Sequence, residues 1–146
     1  MTTDPGLRAL AAGVLLLAAG CGAEGKDGVR LSGERYQVEI ASTEQARERG
    51  LMFVERMPRD HGMLFIYPDE APRAFWMKNC RIPLDILYFD AEARFVSAHY
   101  RVPTCQGQNC PSYPSEGPAR YVLELNAGVG EALGLKPGAE LTLPAR

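Results

Sequence analysis

The sequence predicts a mainly β protein, a small antiparallel β-sandwich or partly closed barrel with one or two short helices. About seven short segments of strand length recur along the chain, each apolar or alternating apolar with polar. The 15 glycines and 11 prolines among 146 residues supply many turns, which argues against a helical bundle. The chain has the length of a single domain.

The first predicted strand covers residues 35–41, whose apolar side chains alternate with polar ones. A hydroxyl at Ser42, followed three residues later by Gln45, is typical of a capping box. A short helix is therefore predicted over residues 43–49, and Gly50 can end it in the left-handed conformation.

The remaining strand candidates are residues 63–67, 74–77, 84–89, 94–100, 121–125 and 140–143. Residues 90–93 connect two of them as a hairpin, and residues 137–138 (Pro-Gly) form a turn before the last strand. A second short helix is predicted over residues 127–133, ended by Gly134. Residues 103–118 contain four prolines and are predicted to form one long ordered loop.

The N-terminal region has the features of an export signal. Residues 9–20 are uncharged and too few to span a bilayer, and the small residues before Cys21 resemble the lipobox of bacterial lipoproteins. The resemblance implies a signal peptide over residues 1–20, a lipidated Cys21 and flexible tether over residues 21–30, and a single domain over residues 31–144. The alternative is an ordinary cleaved secretory signal that leaves Cys21 as a spare thiol.

A lipid on Cys21 would anchor the exported protein in the bacterial cell envelope. Because Gly22 and not Asp follows the cysteine, the resemblance to enteric-type lipoproteins favours the outer membrane, facing the periplasm. The 16 basic and 18 acidic residues give a net charge of -2, which excludes a large basic surface for nucleic acid. We therefore expect the membrane as a partner through the anchor, and no nucleic acid.

Several motifs resemble one bacterial and archaeal family. They are residues 49–52 (Arg-Gly-Leu-Met), 62–65 (Gly-Met-Leu-Phe), 75–79 (Phe-Trp-Met-Lys-Asn), 82–86 (Ile-Pro-Leu-Asp-Ile), 110–113 (Cys-Pro-Ser-Tyr) and 121–128 (Tyr-Val-Leu-Glu-Leu-Asn-Ala-Gly). Over residues 36–143 the chain resembles the domain of unknown function 192 family. The resemblance implies one small β-rich domain, often exported, without an established activity. Cys80 stands where the family usually has Thr, so a hydrogen bond of that hydroxyl is lost or replaced.

Three cysteines follow Cys21 in the chain. Thiols that can pair tend to be oxidised in the bacterial envelope. We predict a disulfide between Cys105 and Cys110, which share one loop, and a single buried thiol at Cys80. The alternative is a soft-metal site of Cys80, His99, Cys105 and Cys110, since such ligands suit zinc or Cu(I). We favour the disulfide and predict no metal and no cofactor.

The segment 75–79 is the densest aromatic and polar stretch of the chain. On a strand, Phe75 and Met77 face one side while Trp76 and Lys78 face the other. If the side of Phe75 is the core, Trp76 is exposed and could stack on a sugar ring or an aromatic ligand. The alternative places Trp76 inside, with Lys78 extending to solvent.

Two acidic residues in apolar strands, Asp85 and Glu124, are the candidate catalytic residues. If they line one cleft with Arg49 or Lys78 nearby, they could act as general acid and base, for example on a glycan. The alternative is a structural ion pair that closes the barrel, because an unpaired buried acid is costly. The sequence has no Gly-x-Ser-x-Gly, His-Glu-x-x-His or phosphate-loop motif.

These observations predict one shallow binding cleft with a polar and aromatic lining. The predicted lining residues are Arg49, Trp76, Lys78, Asn79, Asp85, Tyr113 and Glu124. The predicted role is non-catalytic binding of an envelope polymer, such as a glycan, or of a partner protein. The alternatives are a hydrolase that uses Asp85 and Glu124 and a soft-metal carrier.

Overall fold

The computed structural model describes Met1 and residues 28–145. The predicted signal peptide after Met1, the predicted lipidation site Cys21 and the first part of the tether therefore lie outside the described residues. Within the described part of the chain, no helix has the length and apolar character needed to cross a membrane.

The described residues form nine strands, one α-helix and one 3-10 turn. In chain order these are β1 (Gly28–Leu31), β2 (Glu34–Ala41), α1 (Glu44–Arg49), β3 (His61–Ala71), β4 (Ala74–Trp76), β5 (Leu84–Phe89), β6 (Phe95–Val102), β7 (Ser112–Pro114), β8 (Ala119–Asn126), the 3-10 turn (Glu131–Leu133) and β9 (Leu141–Thr142). Seven strands form one curled sheet in the order β6-β5-β8-β3-β2-β1-β9, and β4 pairs with β7 in a small second sheet. The predicted mainly β class, with a partly closed barrel, is confirmed.

One strand pair departs from the predicted antiparallel arrangement. β2 and β3 run parallel, with Val38 opposite Gly62 and Ile40 opposite Leu64. Parallel neighbours cannot be joined by a tight turn, so the chain must cross over between them. Residues 42–60, which include α1, form this crossover.

The two ends of the curled sheet meet at one point. The Phe95 amide donates to the Ala139 carbonyl at 2.8 Å, and the Leu141 amide donates to the Ala93 carbonyl at 2.8 Å. These hydrogen bonds join the start of β6 to the segment that leads into β9, which curls the sheet into a half-barrel.

Each face of the curled sheet carries its own apolar core, because successive side chains of a strand point to opposite faces. The inner core contains Val29, Leu31, Tyr36, Val38, Leu64, Leu87, Phe89, Ala93, Phe95, Tyr121, Leu123, Leu125, Val129 and Leu141. The outer core contains Ala41, Leu51, Met63, Phe65, Met77, Cys80, Leu84, Ile86, Tyr88, Val102, Ala119 and Val122. The crossover and the β4–β7 sheet contribute side chains to the outer core.

The first helix forms one residue later than predicted, and the predicted capping box is wrong, because the N-cap residue is Thr43 and not Ser42. The Thr43 hydroxyl accepts a hydrogen bond from the Ala46 amide at 3.2 Å, which caps the helix. Gly50 ends it at a φ of 47° and donates its amide to the Ala46 carbonyl. A left-handed φ of this kind favours glycine.

Three predicted segments have a different structure from the one expected. The long loop over residues 103–118 contains a strand, Ser112–Pro114, which pairs with β4. The second predicted helix is only the 3-10 turn Glu131–Leu133, and Gly134 ends it at a φ of 57°. The tether was predicted to reach residue 30, but Gly28–Leu31 is already a strand paired with β2 and β9.

Candidate functional site

A narrow cleft opens on the outer-core side of the sheet, between the crossover and the chain that follows β4. Its volume is ≈ 30 Å³, measured as the space open to the centre of a water molecule. Its lining residues are Arg47, Arg49, Gly50, Leu51, Met52, Phe65, Phe75, Trp76, Lys78, Cys80 and Glu124. Four predicted ligand-binding residues therefore come together here, namely Arg49, Trp76, Lys78 and Glu124.

Among the described residues, Glu124 is the single acidic residue of the cleft, and it lies on the central strand β8 between Met63 and Ile86. The residue is only 3% exposed. Its carboxyl group receives no hydrogen bond from any described residue. Neither carboxyl oxygen is completely inaccessible, so a group that enters the cleft can reach them. Burial disfavours the ionised form, so the pKa of Glu124 rises from 4.5 to about 8.

Gly62 lets β3 approach β8 closely beside Glu124. A Cβ atom at this position would lie 2.4 Å from the Glu124 carbonyl oxygen and 2.8 Å from a methyl carbon of Leu125. Neither distance is compatible with van der Waals contact, so only glycine fits. The Gly-Met-Leu-Phe motif thus sets the spacing of the strands under the cleft.

Two basic side chains at the cleft are free to meet a ligand. Arg49 is exposed and Lys78 partly exposed, and neither side chain has an acidic partner among residues 28–145. Arg47 differs, because its guanidinium donates to the carbonyls of Ser42 at 2.6 Å and Ile66 at 3.0 Å. Arg47 therefore anchors the helix to β3, while Arg49 and Lys78 keep their hydrogen-bonding capacity.

Trp76 is 50% exposed and lies at the mouth of the cleft, with the Lys78 ammonium 5.0 Å from its ring centre. Its neighbours Phe75 and Met77 point the other way, and the Phe75 ring meets the Phe65 ring edge to face at 4.8 Å. Of the two placements left open by the sequence, the exposed one is therefore correct, and the alternative with Trp76 inside is wrong.

Asn79 holds the wall of the cleft without lining it. Its backbone adopts a left-handed φ of 57°, donates to the Cys105 carbonyl at 3.0 Å and accepts from the Phe53 amide at 2.8 Å. The Asn79 side chain points to the Met52 sulfur at 3.9 Å. These contacts fix Lys78 on one side of Asn79 and Cys80 on the other.

Asp85 lies on the opposite face of the sheet from Glu124. It stands directly across from Leu125, and opposite residues of an antiparallel pair share a face. Its side chain, fully buried, accepts hydrogen bonds from the backbone amides of Arg101 (2.8 Å), Gly128 (2.9 Å) and Glu131 (2.9 Å). Asp85 and Glu124 therefore do not line one cleft. The alternative, an ion pair that closes the barrel, is also wrong, because neither carboxyl group pairs with a basic side chain among the described residues.

Tyr113 stands behind the cleft. It pairs with Phe75 across the small sheet and packs against the outer core. Its carbonyl accepts a hydrogen bond from the Tyr88 hydroxyl at 2.5 Å, and its ring meets that of His99 at 5.4 Å. Tyr113 therefore supports Phe75 and has no place in the lining.

The cysteines pair as predicted. Cys105 and Cys110 form a disulfide, and Cys80 is a buried free thiol. The soft-metal alternative is wrong, because two of its four ligands are consumed by the disulfide. Cys80 lines the cleft, and burial, together with the nearby Glu124, raises its pKa to about 11.

Several lining residues were not predicted from the sequence, above all Gly50, Leu51 and Met52 of the crossover. A Cβ atom on Gly50 would lie 3.3 Å from the Phe65 ring, so glycine allows the crossover to pack closely against Phe65. The Arg-Gly-Leu-Met motif contains these residues, but only the parallel pairing of β2 and β3 places them over β8.

Comparisons with known proteins agree with this fold. The DUF192 family, described as "Uncharacterized ACR", matches residues 28–143. A protein of Sinorhizobium meliloti 1021, described as a candidate transcription regulator, is 38% identical to this chain. Its structure matches with a TM-score of 0.72, and the alignment covers 79% of this chain and 91% of that protein. A protein of unknown function from Novosphingobium aromaticivorans is 30% identical, with 78% and 82% covered and a TM-score of 0.72. No curated protein matches the sequence. The chain belongs to the DUF192 family.

Proposed function

We propose that the protein is a non-catalytic binding module, lipid-anchored in the bacterial envelope, whose cleft binds a glycan of that envelope. The observation that carries the proposal is the exposed Trp76 at the mouth of a cleft that holds an unpartnered, buried Glu124. A buried acid with a raised pKa in a cleft, beside aromatic and polar side chains, is typical of a binding site.

The side chains of the cleft suit a sugar. The flat face of an indole packs against the carbon-bound hydrogens of a sugar ring, while Arg49 and Lys78 offer hydrogen-bond donors. The Glu124 carboxyl can exchange hydrogen bonds with a polar group that enters the cleft. The remaining wall is apolar, with Leu51, Met52 and Phe75.

The cleft favours binding over catalysis. General acid–base cleavage of a glycan uses two carboxyl groups on either side of the scissile bond. Of the residues that the structure describes, only Glu124 brings a carboxyl group to the cleft. The Cys80 thiol is neutral at physiological pH because its pKa is about 11, so it is a poor nucleophile.

Replacing Trp76 with Ala is expected to weaken binding to the glycan about five- to tenfold, because one stacking contact contributes roughly 1 kcal/mol. The measurement is co-sedimentation of the detergent-solubilised full chain with purified cell-wall glycan. Tyr100→Ala is the matched control, since Tyr100 is also an exposed aromatic residue but lies outside the cleft. Equal loss in both variants, or no sedimentation of the wild-type protein, would contradict the proposal; retention on envelope proteins alone would indicate a protein partner instead.

The anchor is proposed at Cys21. β1 begins at Gly28, so the peptide between the anchor and the folded module spans at most about 25 Å. Cys21→Ser is expected to move the protein from the membrane fraction to the soluble fraction and to remove the mass of the lipid. Cys80→Ser, which changes a thiol elsewhere, should stay in the membrane fraction. Wild-type protein with an unmodified or spare Cys21 thiol would refute the anchor.

A further inference from the structure

We infer that the group bound inside the cleft is a carboxylate, held by a hydrogen bond to the Glu124 carboxyl group and by Arg49 and Lys78 as cations. The inference rests on the proposed function and names the chemistry of its ligand. It makes the preferred partner an acidic sugar of the uronic acid type, whose carboxylate enters the cleft while its ring lies over Trp76.

The charges of the cleft favour an anion. Arg49 and Lys78 have no acidic partner within the described residues, and Arg47 contributes a third positive charge nearby. Glu124 is the only acid that the described part of the chain contributes to the lining. An amine would enter against three cations, whereas a carboxylate would neutralise part of their charge.

The protonation state of Glu124 also favours an anionic ligand. The ionisable groups around it are Tyr67 on β3, Tyr88 on β5, Cys80 after β4, Arg47 and Arg49 on α1, and Lys78. Burial raises the pKa of Glu124 to about 8. At pH 7 the carboxyl group is therefore mostly protonated, and its O–H can donate to one oxygen of a bound carboxylate. The second oxygen remains for Arg49 or Lys78.

The size of the cleft limits what can enter. The cleft volume of ≈ 30 Å³ accommodates a planar group of three heavy atoms, but it is too small for a sugar ring. Because Met52 and Phe75 make the walls apolar, a singly charged carboxylate loses less hydration free energy than a phosphate dianion. The ring must stay outside, where Trp76 is exposed.

The inference can be tested with intrinsic fluorescence, since the chain has a single tryptophan and it stands at the mouth of the cleft. The detergent-solubilised full chain is titrated with methyl glucuronide, methyl glucoside, methyl glucosaminide and inorganic phosphate. The glucuronide is expected to bind at least tenfold more tightly than the other three. Its affinity should fall about tenfold between pH 7 and pH 9, as Glu124 ionises and repels the carboxylate.

Side-chain replacements separate the parts of the site. Arg49→Met and Lys78→Met are each expected to weaken glucuronide binding at least fivefold, and Lys136→Met, an exposed cation outside the cleft, is the matched control. Glu124→Gln, which retains a donor but cannot ionise, should weaken binding two- to threefold and remove its pH dependence between pH 7 and pH 9.

Three results would overturn the inference while leaving glycan binding intact. They are tighter binding of the glucoside, glucosaminide or phosphate than of the glucuronide, an affinity that rises with pH, and no response to the glucuronide from protein that still sediments with the glycan. Failure of all sugars, together with sedimentation that Trp76→Ala does not change, would instead refute the proposed function itself.

Discussion

Replacing Asp85 with Asn is expected to lower the free energy of unfolding by about 3 kcal/mol. The buried carboxylate accepts three backbone hydrogen bonds, which tie β5 to β6 and to the segment after β8. An amide has one acceptor oxygen, and its NH₂ group would face one of the backbone donors. The variant therefore leaves a buried N–H unpaired and weakens the other two hydrogen bonds, because they lose their charged acceptor.

Urea denaturation monitored by fluorescence measures this loss. Asp60→Asn is the matched control, since Asp60 is an exposed aspartate with a single side-chain partner, His61 at 2.8 Å. We expect the control to change the unfolding free energy by less than about 0.5 kcal/mol. A similar small effect at Asp85 would mean that the three hydrogen bonds do not hold these elements together.

Replacing Glu124 with Gln is expected to stabilise the protein by roughly 3 kcal/mol at pH 7. The carboxyl group of the unfolded chain ionises near 4.5, whereas that of the folded protein ionises near 8. Between these values the folded protein holds one more proton than the unfolded chain. The stability of the wild-type protein therefore falls by about 1.4 kcal/mol for each pH unit from pH 5 to pH 8 and is independent of this group at higher pH.

The amide of the variant does not titrate, so this part of the pH dependence should disappear. Denaturation curves at pH 5, 6, 7 and 8 measure it, with the exposed Glu48→Gln as the control that should keep the wild-type slope. A wild-type protein whose stability rises from pH 5 to pH 8 would show that Glu124 is ionised in the fold. A residue that lowers stability by this amount in an apolar site is expected where binding requires it.

Much of the fold could be predicted from local sequence. Alternation identified the strand around Val38, and apolar runs identified those around Leu64 and Leu123. The hydroxyl residues before Glu44 and the glycine after Arg49 identified α1. Two features, the strand β7 and the parallel pairing of β2 with β3, could not be predicted because they depend on partners distant in the chain. β7 has only three residues and ends at Pro114, and it exists because β4 lies beside it. Alternation also gives no strand order, so the parallel pairing of β2 and β3 was out of reach.

The site could be predicted only in part, and the two acids show why. Alternation predicted that Trp76 and Lys78 face away from Phe75 and Met77, but it left open which side is the core. Asp85 and Glu124 lie on different strands, and whether they share a face depends on the register between those strands. A shift of one residue would have brought them to one face, and no local pattern encodes that register.

The crossover between β2 and β3 has a consequence for folding dynamics. It supplies Arg49, Gly50 and Met52 to one wall of the cleft, whereas Glu124 belongs to the sheet beneath. A molecule seated between them would link two parts of the chain that are far apart in sequence. Occupancy should then suppress local opening of residues 50–54, and slower amide hydrogen exchange in that segment would report a filled cleft even when the ligand itself is invisible.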